Sequence, residues 1–353
     1  MVANKTLIYK RIPTGAPVAG QDLVVEDRPF DLDAPPPAGG VVVEVLWVSY
    51  DPYLRGKLRD PSIPSYSPAF ELGSPITNDG VARVIKSDDP KLPEGTLVLA
   101  YMPIAQYVAL PADVPTNRGL PGVRPVDNPF GLDLGHFLGP LGMPGLTAYS
   151  GLYEITKPKK GETLFVSSAA GAVGQMVGQI AKRLGLRVIG SVGSDEKLDF
   201  VVRALGYDAG FNYKKEAPAD AVKRLAPDGI DIYFDNVGGD HMEAALQNIK
   251  VHGRVVVCGT ISDYNKPQGQ KGGIKDMFRF VQKRILVQGM LVGDANFGPK
   301  YAAEHQKNVQ QWLHEGSFKS KLSVTEGIDN AADGFVGMLE GKNFGKAVLK
   351  IKD

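Results

Sequence analysis

The chain has 353 residues, of which 43% are hydrophobic and 22% charged, a composition typical of a soluble globular protein with two domains. Its 40 basic and 39 acidic residues leave a net charge of +1, which gives no electrostatic reason to expect a nucleic acid or an acidic membrane as a partner. A single cysteine excludes an intrachain disulfide and a zinc site built from several cysteines.

The first part of the chain reads as β structure with many turns. The N-terminal stretch MVANKTLIYKRIP lacks the apolar centre of a signal peptide, which predicts a cytosolic protein. The longest apolar stretch, VVVEVLWV at 41–48, is too short to cross a bilayer. Strand-like runs separated by Pro/Gly clusters lie at 41–50, 81–87 and 96–102. Together they predict a β-rich domain over residues 1–132.

The pattern changes at GMPGLTAYSGLYEI (142–155), which predicts a helix, and from there strands alternate with helices. The predicted strands are 162–168, 186–192, 209–213, 229–237, 253–259 and 285–291. Six strands alternating with helices predict a doubly wound parallel sheet, the Rossmann type of α/β fold, over residues 133–309. A helix near 300, a strand at 321–325, a helix at 329–339 and a strand at 346–351 follow. Because the sheet is then already complete, residues 310–353 are expected to return to the β-rich domain.

SSAAGAVG (167–174) stands between the first of these strands and its helix, where a dinucleotide-binding loop belongs. The first glycine of the GxGxxG pattern is replaced by Ala169. Gly171 would let the backbone approach a pyrophosphate, and Gly174 would let the helix pack on the strand. The helix N-terminus that follows would offer free N–H groups to the phosphates. A plain strand-to-helix turn is the alternative.

The end of the second strand indicates which dinucleotide is bound. NAD sites place a carboxylate there for the ribose diol, but this strand ends in VGS (192–194). Ser194 is a candidate N-cap, which makes Lys197 the third residue of the next helix. Lys197 can face a 2′-phosphate while Asp195 and Glu196 point to solvent, and Tyr213 can add a hydroxyl. We therefore expect NADP(H) rather than NAD(H); the alternative is that Lys197 is a solvated surface lysine.

No pattern predicts a metal. A zinc dehydrogenase of this architecture would need cysteine, histidine and carboxylate ligands near the end of the first β region, and WVSYDPY (47–53) holds neither cysteine nor histidine. The histidines, at 136, 241, 252, 305 and 314, form no short-spaced cluster.

Six motifs occur in a specific order along the chain. They are DPYLRG (51–56), GMPGLTAYSGL (142–152), AAGAVG (169–174), DNVGG (235–239), CGTISDYN (258–265) and GKNFGKAV (341–348). On these motifs the chain resembles the zinc-independent medium-chain dehydrogenase/reductases. Within them it resembles the branch of prostaglandin reductases and alkenal/one double-bond reductases. The resemblance covers nearly the whole chain and implies a Rossmann domain joined to a β-rich, GroES-like catalytic domain.

The resemblance also implies functional residues. The cofactor positions are Thr147, Gly171, Ala172, Val173, Gly174, Gly193, Lys197, Tyr213, Asn236, Cys258, Gly259, Ile261, Tyr264, Met290, Leu291, Val292 and Asn343. Tyr53 and Met143 would border the substrate, although packing is an equal alternative for Tyr53. Two features depart from the family: Met290 replaces a frequent aromatic residue, and the segment at 62–76 is long.

The activity implied is NADPH-dependent reduction of the C=C bond of an α,β-unsaturated aldehyde or ketone. Hydride would reach the β-carbon, and Tyr264 and the ribose 2′-hydroxyl are the candidate hydrogen-bond donors to the oxygen that becomes an enolate; holding the ribose is the alternative role of Tyr264. Cys258 ends a buried strand, where a lone thiol is usually a small hydrophobe. A quinone reductase, a pathway-specific tailoring reductase and a non-catalytic NADPH-binding protein stay open. Relatives usually form homodimers through the edge of the nucleotide-domain sheet, and the apolar strand at 285–291 needs cover.

Overall fold

The computed structural model describes residues 1–114 and 122–352 and divides the chain into two compact units. One unit is Met1–Gly139 with Leu322–Asp353, and the other is Pro140–Lys321. The second unit therefore extends twelve residues past the predicted limit at 309. The physical reason is that Gln179 and Gln175 accept hydrogen bonds of 2.8 Å from the backbone N–H groups of Lys319 and Lys321.

The strands are β1 (Lys5–Tyr9), β2 (Leu23–Asp27), β3 (Val41–Ser49), β4 (Thr77–Ser87), β5 (Leu97–Pro103), β6 (Tyr107–Leu110), β7 (Arg124–Pro125), β8 (Thr163–Val166), β9 (Arg187–Val192), β10 (Ala209–Asn212), β11 (Ile230–Asp235), β12 (Ile249–Val257), β13 (Leu286–Gly289), β14 (Leu322–Glu326) and β15 (Lys346–Lys350). The α-helices are α1 (Leu54–Lys57), α2 (Met143–Gly151), α3 (Ala172–Arg183), α4 (Asp195–Asp199), α5 (Pro218–Leu225), α6 (Gly239–Asn248), α7 (Phe278–Lys283), α8 (Gly298–His314) and α9 (Ala331–Leu339). No helix in these ranges is long and apolar enough to cross a membrane.

The first unit is β-rich, as predicted. Its larger sheet has the order β14-β15-β3-β4-β5-β7, with β6 also paired to β3, while β1 and β2 form a separate antiparallel pair. The chain returns to this unit at its end, where β15 lies antiparallel to β3 with Val348 opposite Ser49. Val43, Val45 and Phe335 are fully buried in its core. The one-turn helix α1 was not predicted, because four residues are too few to show a helical period.

The second unit contains a parallel sheet with the order β10-β9-β8-β11-β12-β13. This arrangement confirms the predicted six-stranded, doubly wound α/β fold. Phe165, Tyr233 and Val255 lie in its core with no exposed surface. Strands β9 and β10 lie on one side of β8, and β11, β12 and β13 lie on the other, so the order of the strands switches sides between β8 and β11. Ligands of doubly wound sheets bind beside the carboxyl ends of the strands at such a switch point.

Candidate active site

The switch point of the sheet is bridged by a serine and an asparagine. The backbone N–H of Asn236, just past β11, donates to the Ser167 hydroxyl oxygen at 2.9 Å. The Asn236 side chain donates from Nδ2 to the carbonyl oxygen of Ser167, just past β8, at 2.8 Å. These two bonds join the carboxyl ends of the two central strands. They also leave the side-chain oxygen of Asn236 as an acceptor, suited to a ribose hydroxyl.

A buried carboxylate holds the turn that carries Asn236. Oδ1 of Asp235 accepts hydrogen bonds from the Tyr233 hydroxyl at 2.6 Å and from the backbone N–H groups of Val237 and Gly238 at 2.9 and 2.8 Å. Burial raises the pKa of Asp235, and the hydrogen bonds that it accepts oppose that rise. The DNVGG motif is thus a turn organised around its own first residue.

The loop between β8 and α3, the predicted phosphate loop, contains a serine with positive φ and a tightly packed glycine. Ser168 has φ of 53°, a left-handed conformation that is unusual for a residue other than glycine and is typical of functional turns. A β-carbon at Gly174 would lie 2.3 Å from the Ser168 carbonyl oxygen and 2.7 Å from the α-carbon of Ala169. Gly174 is therefore needed for close packing of helix on strand, as expected. Gly171 precedes the first residue of α3, whose N-terminal N–H groups are suited to a pyrophosphate.

Sequence reasoning missed one residue that positions this loop. Tyr207 is buried, and its hydroxyl donates to the Gly174 carbonyl oxygen at 2.8 Å. Its ring fills the space above Gly178 of α3, where a β-carbon would lie 2.0 Å from the ring. The same ring packs against Gly190 of β9, where a β-carbon would lie 2.9 Å from it. No local motif marks Tyr207, because this contact depends on how the helix packs on the sheet.

The end of β9 holds the residues for which contact with a 2′-phosphate is predicted. Ser194 caps α4 by accepting the backbone N–H of Lys197 at 3.2 Å, which confirms the predicted cap. The hydroxyl of Tyr213 lies beside Gly193, 3.2 Å from the place of a β-carbon. Burial, and then the charge of Lys214, lower the pKa of Lys197, while Glu196 opposes the fall. A partly buried lysine next to another lysine favours a bound anion.

The Asp195 carboxylate, in the first turn of α4, is already engaged. Asp195 accepts a hydrogen bond from Nδ2 of Asn212 at 2.9 Å and forms an ion pair with Lys215. These partners, led by Asn212, lower the pKa of Asp195. Asp195 is thus paired with Lys215, and the Glu196 side chain is exposed.

The segment after β12 brings Tyr264 back to the sheet. The backbone N–H groups of Cys258 and Gly259 donate to the Asp235 carbonyl oxygen at 2.9 and 3.1 Å, and that of Ile261 donates to the Asn236 carbonyl oxygen at 3.3 Å. The Tyr264 hydroxyl then lies over Gly259, 2.9 Å from the place of a β-carbon. Burial, with a smaller contribution from the charge of Asp235, raises the pKa of the Cys258 thiol to about 12. Such a thiol is not a nucleophile at neutral pH.

The predicted residues on α2 share one face. Thr147 donates from its hydroxyl to Sδ of Met143, one turn earlier, at 3.4 Å. Gly151 lies one turn further along, and Sδ of Met290 packs against it, 2.5 Å from the place of a β-carbon. The thioether thus takes space that a side chain on the helix would otherwise fill.

The two predicted residues that follow Met290 lie in the loop after β13. Leu291 is 42% exposed, and the carbonyl oxygen of Val292 accepts the Gly298 N–H at 2.8 Å.

Two family models match the chain: "Zinc-binding dehydrogenase" over residues 172–307 and "N-terminal domain of oxidoreductase" over residues 5–116. A curated relative from Cochliobolus heterostrophus, named NADP-dependent oxidoreductase RED1, is 51% identical over 100% of this chain and 99% of its own. The 2-alkenal reductase (NADP(+)-dependent) of Nicotiana tabacum is 42% identical over 99% of this chain and 98% of its own. A solved structure of CurA from Vibrio vulnificus in complex with NADPH has a TM-score of 0.87, at 32% identity and 99% coverage of both chains.

The chain belongs to the medium-chain dehydrogenase/reductase family. This confirms the family expected from the six motifs. It makes the protein an oxidoreductase with a Rossmann unit and a separate β-rich unit.

The first unit of this family member contains the other predicted residues. The Tyr53 hydroxyl donates to Oδ1 of Asn78 at 2.8 Å. Asn343 donates to the Gly345 carbonyl oxygen at 2.7 Å, so its side chain is held by its own loop. The contacts of Tyr53 with substrate and of Asn343 with cofactor stay predictions.

The long segment at 62–76 is well anchored in the first unit. Arg59 donates to the carbonyl oxygens of Ile63 and Ser67 at 2.9 and 2.6 Å. Phe70 is buried, and the Lys57 ammonium lies 4.2 Å from the centre of its ring, a cation–π contact. The segment at 62–76, which is longer than expected for the family, is therefore a loop held in place by these contacts.

Zinc does not fit the residues that this family member has. Within residues 1–114 and 122–352, no three histidine, cysteine, aspartate or glutamate side chains come together as a metal site. In WVSYDPY, the Asp51 carboxylate is 2.9 Å from the Lys346 ammonium, and both side chains are almost fully buried. A divalent cation beside that ammonium would be strongly repelled.

Proposed function

We propose that this protein reduces the C=C bond of α,β-unsaturated aldehydes and ketones, with NADP(H) as its cofactor. The observation that carries the proposal is the Tyr264 hydroxyl, which the segment after β12 folds back over Gly259 beside Asn236. A phenol at the carboxyl end of the sheet is a hydrogen-bond donor in the region where doubly wound folds bind the reactive part of a dinucleotide. The relatives named as a 2-alkenal reductase and a (+)-pulegone reductase support the same substrate class.

The chemistry needs a donor in a fixed place. When bound, NADPH would supply the hydride to the β-carbon, and a proton delivered to the α-carbon by Tyr264, a relay or water would complete the saturated product. Between these two steps negative charge builds on the carbonyl oxygen, and a preorganised donor stabilises it. A neutral phenol carries one O–H donor, which is the role proposed for Tyr264. Tyr264 thus donates a hydrogen bond to the enolate oxygen.

Selectivity for the phosphorylated cofactor is assigned to the end of β9. Lys197 supplies a positive charge, and the Tyr213 hydroxyl beside Gly193 supplies a donor. Asn212 and Lys215 hold the Asp195 carboxylate and neutralise it. The Asp195 carboxylate is therefore already bonded and does not favour a ribose diol, whereas the positive charge of Lys197 favours a 2′-phosphate.

The test is the loss of NADPH absorbance with four acceptors: an aliphatic enone, an aromatic enal, a quinone and a saturated aldehyde. We expect turnover of the enone and the enal, with a product saturated at the C=C bond and an intact carbonyl group. Turnover of the quinone alone indicates a quinone reductase. NADPH binding with no turnover of any acceptor indicates a non-catalytic protein, and either result contradicts the proposal.

We further propose a homodimer formed through β13. This strand pairs only with β12 among the described strands, and apolar side chains around it are exposed, namely Met277, Phe278, Val281 and Leu286 at 63%, 63%, 66% and 47%. An exposed apolar sheet edge is a strong site for pairing with a second copy. Sedimentation should show a dimer, and Phe278→Asp with Val281→Asp should give a monomer. A monomeric wild-type protein would contradict this assignment.

A further inference from the structure

One face of the parallel sheet in the second unit carries a layer of aromatic rings. Phe165 on β8 and Phe211 on β10 have ring centroids 6.0 Å apart and planes inclined by 27°. The ring of His241, from the first turn of α6, lies nearly parallel to both, at centroid distances of 6.5 and 6.4 Å. The backbone N–H of His241 donates to the Gly238 carbonyl oxygen at 3.2 Å, which fixes the start of the helix that carries this ring.

His241 acts in this layer as a neutral ring. The residue is only 6% exposed. Burial lowers the pKa of His241 to about 4, against the opposing charge of Asp240, so the imidazole is uncharged at neutral pH. Its Nε2 atom is buried and has no hydrogen-bond partner in the ranges that the structure describes, 1–114 and 122–352. The side chain therefore contributes the shape and the π surface of its ring here, and neither a charge nor a hydrogen bond from Nε2.

The outer end of the layer is Tyr213, the residue predicted to contact a 2′-phosphate. Tyr213 comes two residues after Phe211, so the two side chains leave the chain on the same face of the sheet. The Tyr213 ring meets the His241 ring edge to face, with centroids 5.4 Å apart and planes at 78°. This geometry is a favoured one for aromatic pairs, which stabilise each other beyond the effect of the area that they bury.

The ring of Tyr213 needs this contact because much of its surface faces solvent. Tyr213 is 45% exposed. Its backbone N–H donates to the Val192 carbonyl oxygen at 3.0 Å, which fixes the main chain but not the side chain. Cε1 and Cζ of the ring pack against Gly193, 3.3 and 3.4 Å from the place of a β-carbon. An exposed side chain keeps its rotamer freedom unless neighbours restrict it, so contact with His241 and Gly193 determines where the hydroxyl lies.

We infer that His241 is a positioning residue of the dinucleotide site, whose ring holds the Tyr213 hydroxyl in place for a 2′-phosphate. His241 thereby contributes to selectivity for NADP(H) over NAD(H). The inference rests on the proposed function, which assigns Tyr213 to the 2′-phosphate. The positive charge at the site is that of Lys197, and His241 acts through Tyr213 alone.

The experiment measures the binding of two cofactors, so it does not depend on turnover. Dissociation constants for NADPH and NADH are determined by fluorescence titration, and the ratio of NADPH affinity to NADH affinity is compared between variants. His241→Leu fills similar space without an aromatic ring, and the ratio should fall by about three- to tenfold, the value of one aromatic pair. His241→Phe keeps an aromatic ring, and its ratio should stay within about twofold of the wild type.

Two further variants separate positioning from stability. Leu246→Ala removes a buried side chain from the same core, further along α6. It should lower the free energy of unfolding and leave the ratio unchanged. Tyr213→Phe removes the hydroxyl and should lower the ratio by about tenfold, the value of one hydrogen bond. Adding His241→Leu to Tyr213→Phe should lower it no further, because no hydroxyl is left to position.

An unchanged ratio in His241→Leu, an equal fall in His241→Phe, or an additive fall in the double variant overturns the inference. If His241→Leu does not fold, His241→Ala takes its place in the same comparison. A lower ratio in Tyr213→Phe with no change in His241→Leu overturns the inference alone and leaves the proposed phosphate contact standing. An unchanged ratio in Tyr213→Phe overturns the proposed contact and the inference together.

Discussion

The hydroxyl oxygen of Tyr264 lies over Gly259, so close that a β-carbon at position 259 would be 2.9 Å from it. A separation this short is tighter than ordinary contact between carbon and oxygen. Glycine, two residues past the end of β12, leaves room for the phenol oxygen, whereas a β-carbon there would displace it. The relationship links a glycine with no chemistry of its own to the side chain on which the proposed chemistry depends.

Gly259→Ala should therefore move the Tyr264 hydroxyl. A displacement of about 1 Å at a catalytic group commonly costs on the order of 100-fold in rate, so kcat with an enone should fall by about 10- to 100-fold. The affinity for NADPH, measured by fluorescence titration, should change much less. Gly269→Ala is the control, because a β-carbon there meets no atom within 4 Å. Equal losses in the two variants would contradict the positional argument.

Tyr264→Phe removes the donor and keeps the ring. We expect kcat to fall by about 100-fold or more, because one preorganised donor to a developing oxyanion is worth that much. The dissociation constant for NADPH should stay within about threefold. An unchanged kcat would show that Tyr264 holds the ribose and that another group donates to the enolate.

Lys197→Ala should weaken NADPH binding much more than NADH binding. Charge-assisted hydrogen bonds are worth about 1.5–3 kcal/mol, so the ratio of the two dissociation constants should change by about 10- to 100-fold. Lys223→Ala, an exposed lysine of α5, is the matched control. A loss shared equally by both cofactors would place Lys197 elsewhere on the dinucleotide.

The same selectivity should depend on pH. Lys197 binds a 2′-phosphate in its protonated form, and burial followed by the charge of Lys214 lowers its pKa in the free protein. Affinity for NADPH is thus fully present below that lowered pKa and is lost as pH rises through it, while affinity for NADH is not. The ratio of NADPH affinity to NADH affinity should begin to fall at a pH below the ordinary lysine pKa, which is near 10.4. Lys197→Ala should abolish this dependence.

Lys346→Met leaves the Asp51 carboxylate buried without its cation. Breaking a buried pair on one side typically costs about 3–5 kcal/mol, and we expect that loss in the free energy of unfolding, measured by urea denaturation. The double variant Asp51→Asn with Lys346→Met removes both charges and should recover most of it. A double variant as unstable as Lys346→Met alone would show that packing of the lysine, rather than its charge, stabilises this region.

Local patterns predicted much of the second unit. The sequence SDEK predicts Ser194 as the cap of the helix that contains Lys197, and the structure confirms the bond. The spacing of the loop predicts a glycine at 174, and the physical reason is that a β-carbon there would collide with the Ser168 carbonyl oxygen. Both are contacts between residues close in sequence, so a short motif carries the information.

The sequence by itself determined the family, the alternation that builds the parallel sheet, and the phenol of Tyr264 as the chemical group of interest. Only the tertiary structure decided that the Tyr207 hydroxyl bonds to the Gly174 carbonyl oxygen, that Gly259 makes room for Tyr264, and that Lys346 pairs with Asp51. Lys346 and Asp51 are 295 residues apart, and no spacing rule links them. Their contact exists because β15 returns to lie against β3, and a pairing of that kind is set by the packing of whole strands rather than by any local pattern.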